Sequence, residues 1–148
     1  MTLSADQPYA QAAASTISTR ADAVFAHQRR EVLDLQEIEG VHAMRVATRR
    51  LRAALEVFGP CLARKHRGRA LAEVKALAAA LGERRDRDVQ LELLARLQQD
   101  CAGAEGRAVA LLAGELRAEQ DEANRELAKA LTHVKRIGLR RRLGRLAR

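Results

Sequence analysis

The chain has 148 residues, with 27 Lys plus Arg against 19 Asp plus Glu, four His and a formal net charge of +8. A domain of this length buries roughly 70% of the surface its unfolded chain exposes, so neither a disulfide nor a metal staple is required to hold it. Aromatic residues make up 2% (Tyr9, Phe25 and Phe58) and only two Pro and nine Gly are present, which excludes sandwiches and barrels built from β-branched and aromatic runs bounded by turns.

An all-α fold follows, and the helical period locates its elements. Residues 1–8 read as a flexible N-terminus, and Pro8 suits a first helical turn, where a missing N–H does no harm. From there to about Ile38, Ala13, Ile17, Ala21, Val24 and Leu35 recur at intervals of three or four, or sums of them, which predicts one helix stopped by Gly40. Val41, Met44, Ala47, Leu51, Ala54, Leu55 and Phe58 trace one face of a second helix, the shortest of the main four, ended by Gly59 and Pro60. A basic connector, residues 64–69, leads to Leu71, Val74, Leu77, Ala78 and Leu81 of a third helix. Gly82 interrupts that stripe before Val89, Leu93 and Leu97 resume it, which predicts a kink or two abutting helices around residues 82–86. After a loop over 101–106, a fourth helix runs from about Arg107 to Val134. The last segment, Arg136 to Arg148, patterns as a short basic C-terminal helix, whose default reading is a disordered basic tail and whose other reading is an additional contact for a polyanion. Short loops between long helices imply antiparallel neighbours, hence an up-down four-helix bundle in a single domain over residues 1–148.

Charges interrupt every apolar run, so no membrane span is expected. Residues 1–9 lack a basic stretch followed by an apolar core, which predicts a cytoplasmic protein without a secretory signal. Cys61 and Cys101 fall at opposite ends of the third helix, roughly 45 Å apart at 1.5 Å per residue, too far for a disulfide. His27, His66 and His133 stand at no metal-ligand spacing, and no metal or other cofactor is expected. Catalysis has no visible basis either: Ser4, Ser15 and Ser18 lie near the N-terminus, and no nucleophile elbow, phosphate-loop lysine or zinc-protease motif occurs.

The second helix carries the informative pattern. Projected at about 100° per residue with His42 at zero, Arg45, Arg49 and Arg52 fall at about 300°, 340° and 280°, a ridge beside the apolar face, while Arg50 lies near 80°. Glu56 is the single acid on that ridge. Neighbouring cations there sit about 6 Å apart and repel by about 0.7 kcal/mol per pair in water, which a polyanion or the acids of another helix would relieve. Guanidinium suits a phosphate partner because its planar fork donates paired hydrogen bonds and never deprotonates. Asp86 and Asp88, two residues apart, point in different directions and read as carboxylates that hold arginines, either those of the second helix or Arg84 and Arg87.

The run Val41-His42-Ala43-Met44-Arg45-Val46-Ala47-Thr48-Arg49-Arg50-Leu51-Arg52-Ala53-Ala54-Leu55-Glu56-Val57-Phe58 resembles the signature helix of the CHAD family, the conserved histidine α-helical domain. The segment Leu81-Gly82-Glu83-Arg84-Arg85-Asp86-Arg87-Asp88-Val89 is similar to that family's L-G-x-x-R-D-x-D-V stretch. The resemblance implies a non-catalytic helical domain that binds inorganic polyphosphate and is found with polyphosphate granules. By position, His42, Arg45, Arg49 and Arg52 would line the anion site, with Arg50 flanking it and Arg85 joining from the third helix. Arg64, Lys65, His66 and Arg69 of the basic connector are the candidate extension. Family members usually carry two four-helix repeats around a shared channel, whereas one is present here, so either a homodimer rebuilds the channel or the site is an open groove. The same net charge also permits a nucleic-acid-binding helical protein, and a metal-binding accessory protein of phosphate metabolism is a third reading.

Overall fold

The computed structural model describes residues 8–62 and 64–146, the side chain of Lys65 excepted. The expected flexible N-terminus lies outside these residues apart from Pro8, as do the last two positions of the basic C-terminal segment. Among the described residues the chain is all-helical, without a strand. It forms α1 (Tyr9–Phe25), α2 (Arg29–Val32), α3 (Glu39–Val57), a 3-10 turn (Gly59–Cys61), α4 (Arg64–Asp100), α5 (Gly103–Arg136) and α6 (Leu139–Leu146). The four expected bundle helices and the short basic C-terminal one are thus six, with α2 the addition.

The first correction concerns residues 26–38, expected as one helix with α1. Helix α1 stops at Phe25, and α2 is one turn followed by a loop. The periodicity of Val24 and Leu35 is outweighed there by side chains that offer the backbone other partners. The Asp34 carboxylate accepts the N–H groups of Gln36 at 2.8 Å and Glu37 at 3.1 Å. Those bonds hold its pKa below the usual carboxylate value. The loop's carbonyls are taken up from a distance. Arg84 Nη2 donates to Asp34 at 3.0 Å and Asn124 Nδ2 to Leu33 at 3.0 Å, while Arg29 Nη1 ties α2 to the Ala128 carbonyl of α5 at 2.9 Å. Gly40, expected as a stop signal, lies within the first turn of α3, where a Cβ would stand 2.5 Å from the Glu31 carbonyl oxygen. Its use is the close crossing of α2 over α3.

Helix α3 forms as its pattern predicts, with Val41, Met44, Thr48, Leu51, Ala54 and Leu55 buried. With α1 cut to 17 residues, α3 at 19 residues is no longer the shortest of the long helices. Helix α4 is continuous from Arg64, so the basic connector is its first turns, and it passes Gly82 without a break. A single glycine costs a helix about 1 kcal/mol, less than the burial of the apolar side chains of Leu77 and Leu81 beside it contributes. Pairs between α4 and α5 run in opposite order along the two helices: Glu73 with His133, Arg87 with Glu119, Asp88 with Gln120. The two helices are therefore an antiparallel hairpin.

Packing closes a ring in which α1 lies on α3, α3 on α4, α4 on α6 and α6 on α1, with α5 along α4 and α6. Its interior holds Ile17, Val24, Val41, Leu51, Leu55, Val74, Leu77, Leu81, Leu127, Leu139 and Leu143. The basic C-terminal segment is thus a docked helix and not a solvated tail, because Leu139 and Leu143 insert into that core. Gly138, with φ of 62°, makes the reversal from α5 into α6 that an L side chain would strain. At about 1.5 Å per residue, α4 spans about 55 Å against about 25 Å for α1, and the far half of the hairpin extends past the core, leaving Val89, Leu93, Leu97, Leu111 and Leu112 exposed. Cys61 and Cys101 are free thiols. No helix among the described residues is long and apolar enough to cross a membrane.

Candidate anion-binding edge

The apolar stripe of α3 faces the core, and the helical period then sets its cations along the flank beside α4. His42, Arg45 and Arg52 are half-buried on that flank, Arg49 is exposed, and Arg50 stands exposed on the opposite flank. The structure brings the first four together on one edge and leaves Arg50 apart from them.

Internal acids do little to neutralise this edge. Among the described residues, His42, Arg45, Arg49 and Arg50 have no side-chain hydrogen bond or ion pair. His42 therefore has no carboxylate partner of the kind a helix-start histidine often takes. Only Arg52 meets an acid, at 4.0 Å from Glu56, and Glu56 is shared with Lys75 of α4 at 3.5 Å. Such exposed, loosely paired charges contribute at most about 1 kcal/mol. Lys75 is a cation that sequence reasoning missed. Nothing local marks it, and it joins the edge only because α4 folds back along α3.

That Glu56–Lys75 contact sets the register of the two helices, which run antiparallel across the short 3-10 turn. Counting back along α3 and forward along α4 by about seven residues puts Arg49 level with Gly82, and Arg45 near the level of Arg85 and Asp86. A Cβ on Gly82 would meet nothing within 4 Å, so no side chain of α3 covers α4 at that position. Arg85 is half-buried, and its Nη1 is shut off from solvent without a hydrogen-bond partner. An unsatisfied buried donor of this kind costs about 1–3 kcal/mol.

Arg85 is set in place by a buried network one residue away. Arg84 is fully buried and forms a two-pronged ion pair with Asp88, and Gln120 of α5 donates to Asp88 Oδ1 at 2.7 Å. Burial pushes the Asp88 carboxyl up, against the pull of Gln120 and Arg84. The expectation that Asp88 holds an arginine is met at Arg84. For Asp86 it is not: Asp86 is exposed with no arginine partner among the described residues, and Arg87 is held by Glu83 at 3.0 Å and Glu119 at 3.3 Å instead.

The expected extension divides. Arg64, His66 and Arg69 are exposed on the first turns of α4, and the side chain of Lys65 lies outside the described residues. By helical period Arg64 shares the line of Lys75, about 16 Å further along, whereas His66 and Arg69 fall on other faces. Arg67, not singled out from the sequence, lies over Gly59, where a Cβ would come 2.2 Å from its Nη1. Of the remaining histidines, His133 is engaged from both ring nitrogens: Arg136 donates to Nδ1 at 3.3 Å, so Nε2 carries the proton toward Glu73 at 2.9 Å. Among the described residues no group of three His, Cys, Asp or Glu side chains could hold a metal ion.

An all-helical domain with an unneutralised arginine edge on its third helix is the class of protein that fold and site define. The chain belongs to the CHAD family: the family model described as CHAD domain matches residues 15–148. That family is known to bind polyphosphate-related ligands. No curated protein and no solved structure gives a significant match to the chain.

Proposed function

We propose that this protein binds inorganic polyphosphate, without catalysing its turnover, along the α3–α4 groove. His42, Arg45, Arg49 and Arg52 would line it, and Lys75 and Arg85 would face them from α4, with Arg50 outside it on the opposite flank of α3. The observation that carries the reading is the want of internal acids. Among the described residues the acid met on this edge is Glu56, shared by Arg52 and Lys75, and His42, Arg45 and Arg49 have none. A linear chain of phosphates supplies acceptors at every level of the groove and removes the repulsion between its cations. Aromatic platforms for stacked bases are nearly lacking in a chain with 2% aromatic residues, which favours phosphate over nucleic acid.

Two copies meeting across one long phosphate chain, and concentration of the protein at polyphosphate granules, belong to the same proposal. Competition binding tests it. Polyphosphate is expected to displace DNA and RNA at equal phosphate concentration, with affinity falling steeply as salt rises because counterions are released. A preference for nucleic acid, or no polyphosphate binding at low salt, would sink it. Scattering mass of the complex counts the copies.

A further inference from the structure

The helix that turned out to be docked carries a second concentration of cations. Lys135, Arg136, Arg140, Arg141, Arg142 and Arg145 are all exposed, and no acid occurs between residues 135 and 146. Among the described residues one carboxylate reaches this group, Asp22 of α1, at 2.8 Å from Arg140 Nη2. Leu139 and Leu143, buried in the core, fix the rotation of α6, so Arg141 and Arg145 are held outward. Between α1 and the α5–α6 reversal lies a groove of about 590 Å³, lined by Ser18, Asp22, Lys135, Arg136, Arg140 and Arg141 among others. The Arg141 guanidinium folds back over Gly138, with Nη2 3.4 Å from where a Cβ would stand.

Position in the ring separates this surface from the α3 edge. Helices α3 and α6 each pack on α1 and α4, which lie between them, so their solvent faces look to opposite sides of the body. One short phosphate chain cannot cover both.

We infer that the α6 groove is a second polyphosphate-binding surface, so that each protein molecule holds two phosphate chains and cross-links them. The inference rests on the proposed function of the α3 edge and deepens it. With two independent sites and a polymer that offers many, long chains join protein molecules into large assemblies, and a single excess of polymer dissolves them again. Triphosphate, too short to reach a second molecule, binds without assembling.

Light scattering and binding titrations of the full chain test this. With long-chain polyphosphate, scattering is expected to rise and then fall as polymer is added, with none for triphosphate. Arg141→Glu with Arg145→Glu is expected to keep binding, with a salt slope smaller by about 2, and to lose the scattering. Arg45→Glu with Arg49→Glu is expected to do the same, and the fourfold variant to bind nothing. Circular dichroism checks that each variant keeps its helices. Unchanged scattering and salt slope in the α6 variant overturns the second surface. So does complete loss of binding in the α3 variant alone, and that result leaves the proposed function standing. Loss of all binding in the α6 variant with none in the α3 variant overturns both.

Discussion

Replacing Arg49 by Gln separates a binding arginine from a structural one, because the two roles predict opposite signs for stability. Arg49 stands four residues after Arg45 and three before Arg52, and has no carboxylate among the described residues. At about 6 Å, each of those two neighbours repels it by about 0.7 kcal/mol in water, about 1.4 kcal/mol together. Screening at about 0.1 M salt, where the Debye length is about 10 Å, reduces this to about 0.8 kcal/mol. Gln and Arg have nearly equal helix propensity, so the backbone is indifferent to the exchange. Arg49→Gln is therefore expected to stabilise the free protein by up to about 0.8 kcal/mol, more at lower salt. The same change removes one charge-assisted phosphate contact, worth about 1.5 kcal/mol, or roughly tenfold in affinity. Urea unfolding followed by circular dichroism at two salt concentrations reads the first effect, and titration with labelled polyphosphate the second. A loss of 1 kcal/mol or more of stability at low salt, or unchanged affinity, would refute the reasoning, since either means that Arg49 serves the fold.

Other consequences are open to the same unfolding assay. Asp88→Ala strands the buried Arg84 charge and is expected to cost about 3–5 kcal/mol, whereas Arg84→Met combined with Asp88→Leu is expected to cost far less, because no charge is left without a partner. A cost from the double change as large as from the single one would count against a buried pair. Gly40→Ala drives a Cβ to 2.5 Å from the Glu31 carbonyl and is expected to lose about 1–3 kcal/mol. Gly114→Ala, whose Cβ meets nothing within 4 Å inside α5, is expected to gain up to about 1 kcal/mol. Asp34 has its pKa lowered by the N–H groups of Gln36 and Glu37 from an ordinary 3.8. Its contribution is present above that value and lost as pH falls through the lower folded one. The stability gap between the protein and Asp34→Ala should therefore narrow below pH 3.8, and a gap that widens on acidification would contradict the turn.

Sequence alone determined the helical class, the span of α3 with its apolar face, and the cations on its flank, because the helical period is local and acts within a few residues. It also marked Asp88 as a carboxylate that holds an arginine, and the structure makes that arginine Arg84. Tertiary structure decided what depends on distant partners. The break after Phe25 is held by Arg84, Asn124 and Arg29, which satisfy carbonyls on other elements, and no periodicity in residues 26–38 carries that information. Docking of α6 needed the cavity that Leu139 and Leu143 fill, so a run of arginines that reads as a solvated tail became a fixed surface. Lys75 joined the α3 edge through the antiparallel return of α4. Side-chain period is written in neighbouring residues, but the company a face keeps is set only when the whole core closes.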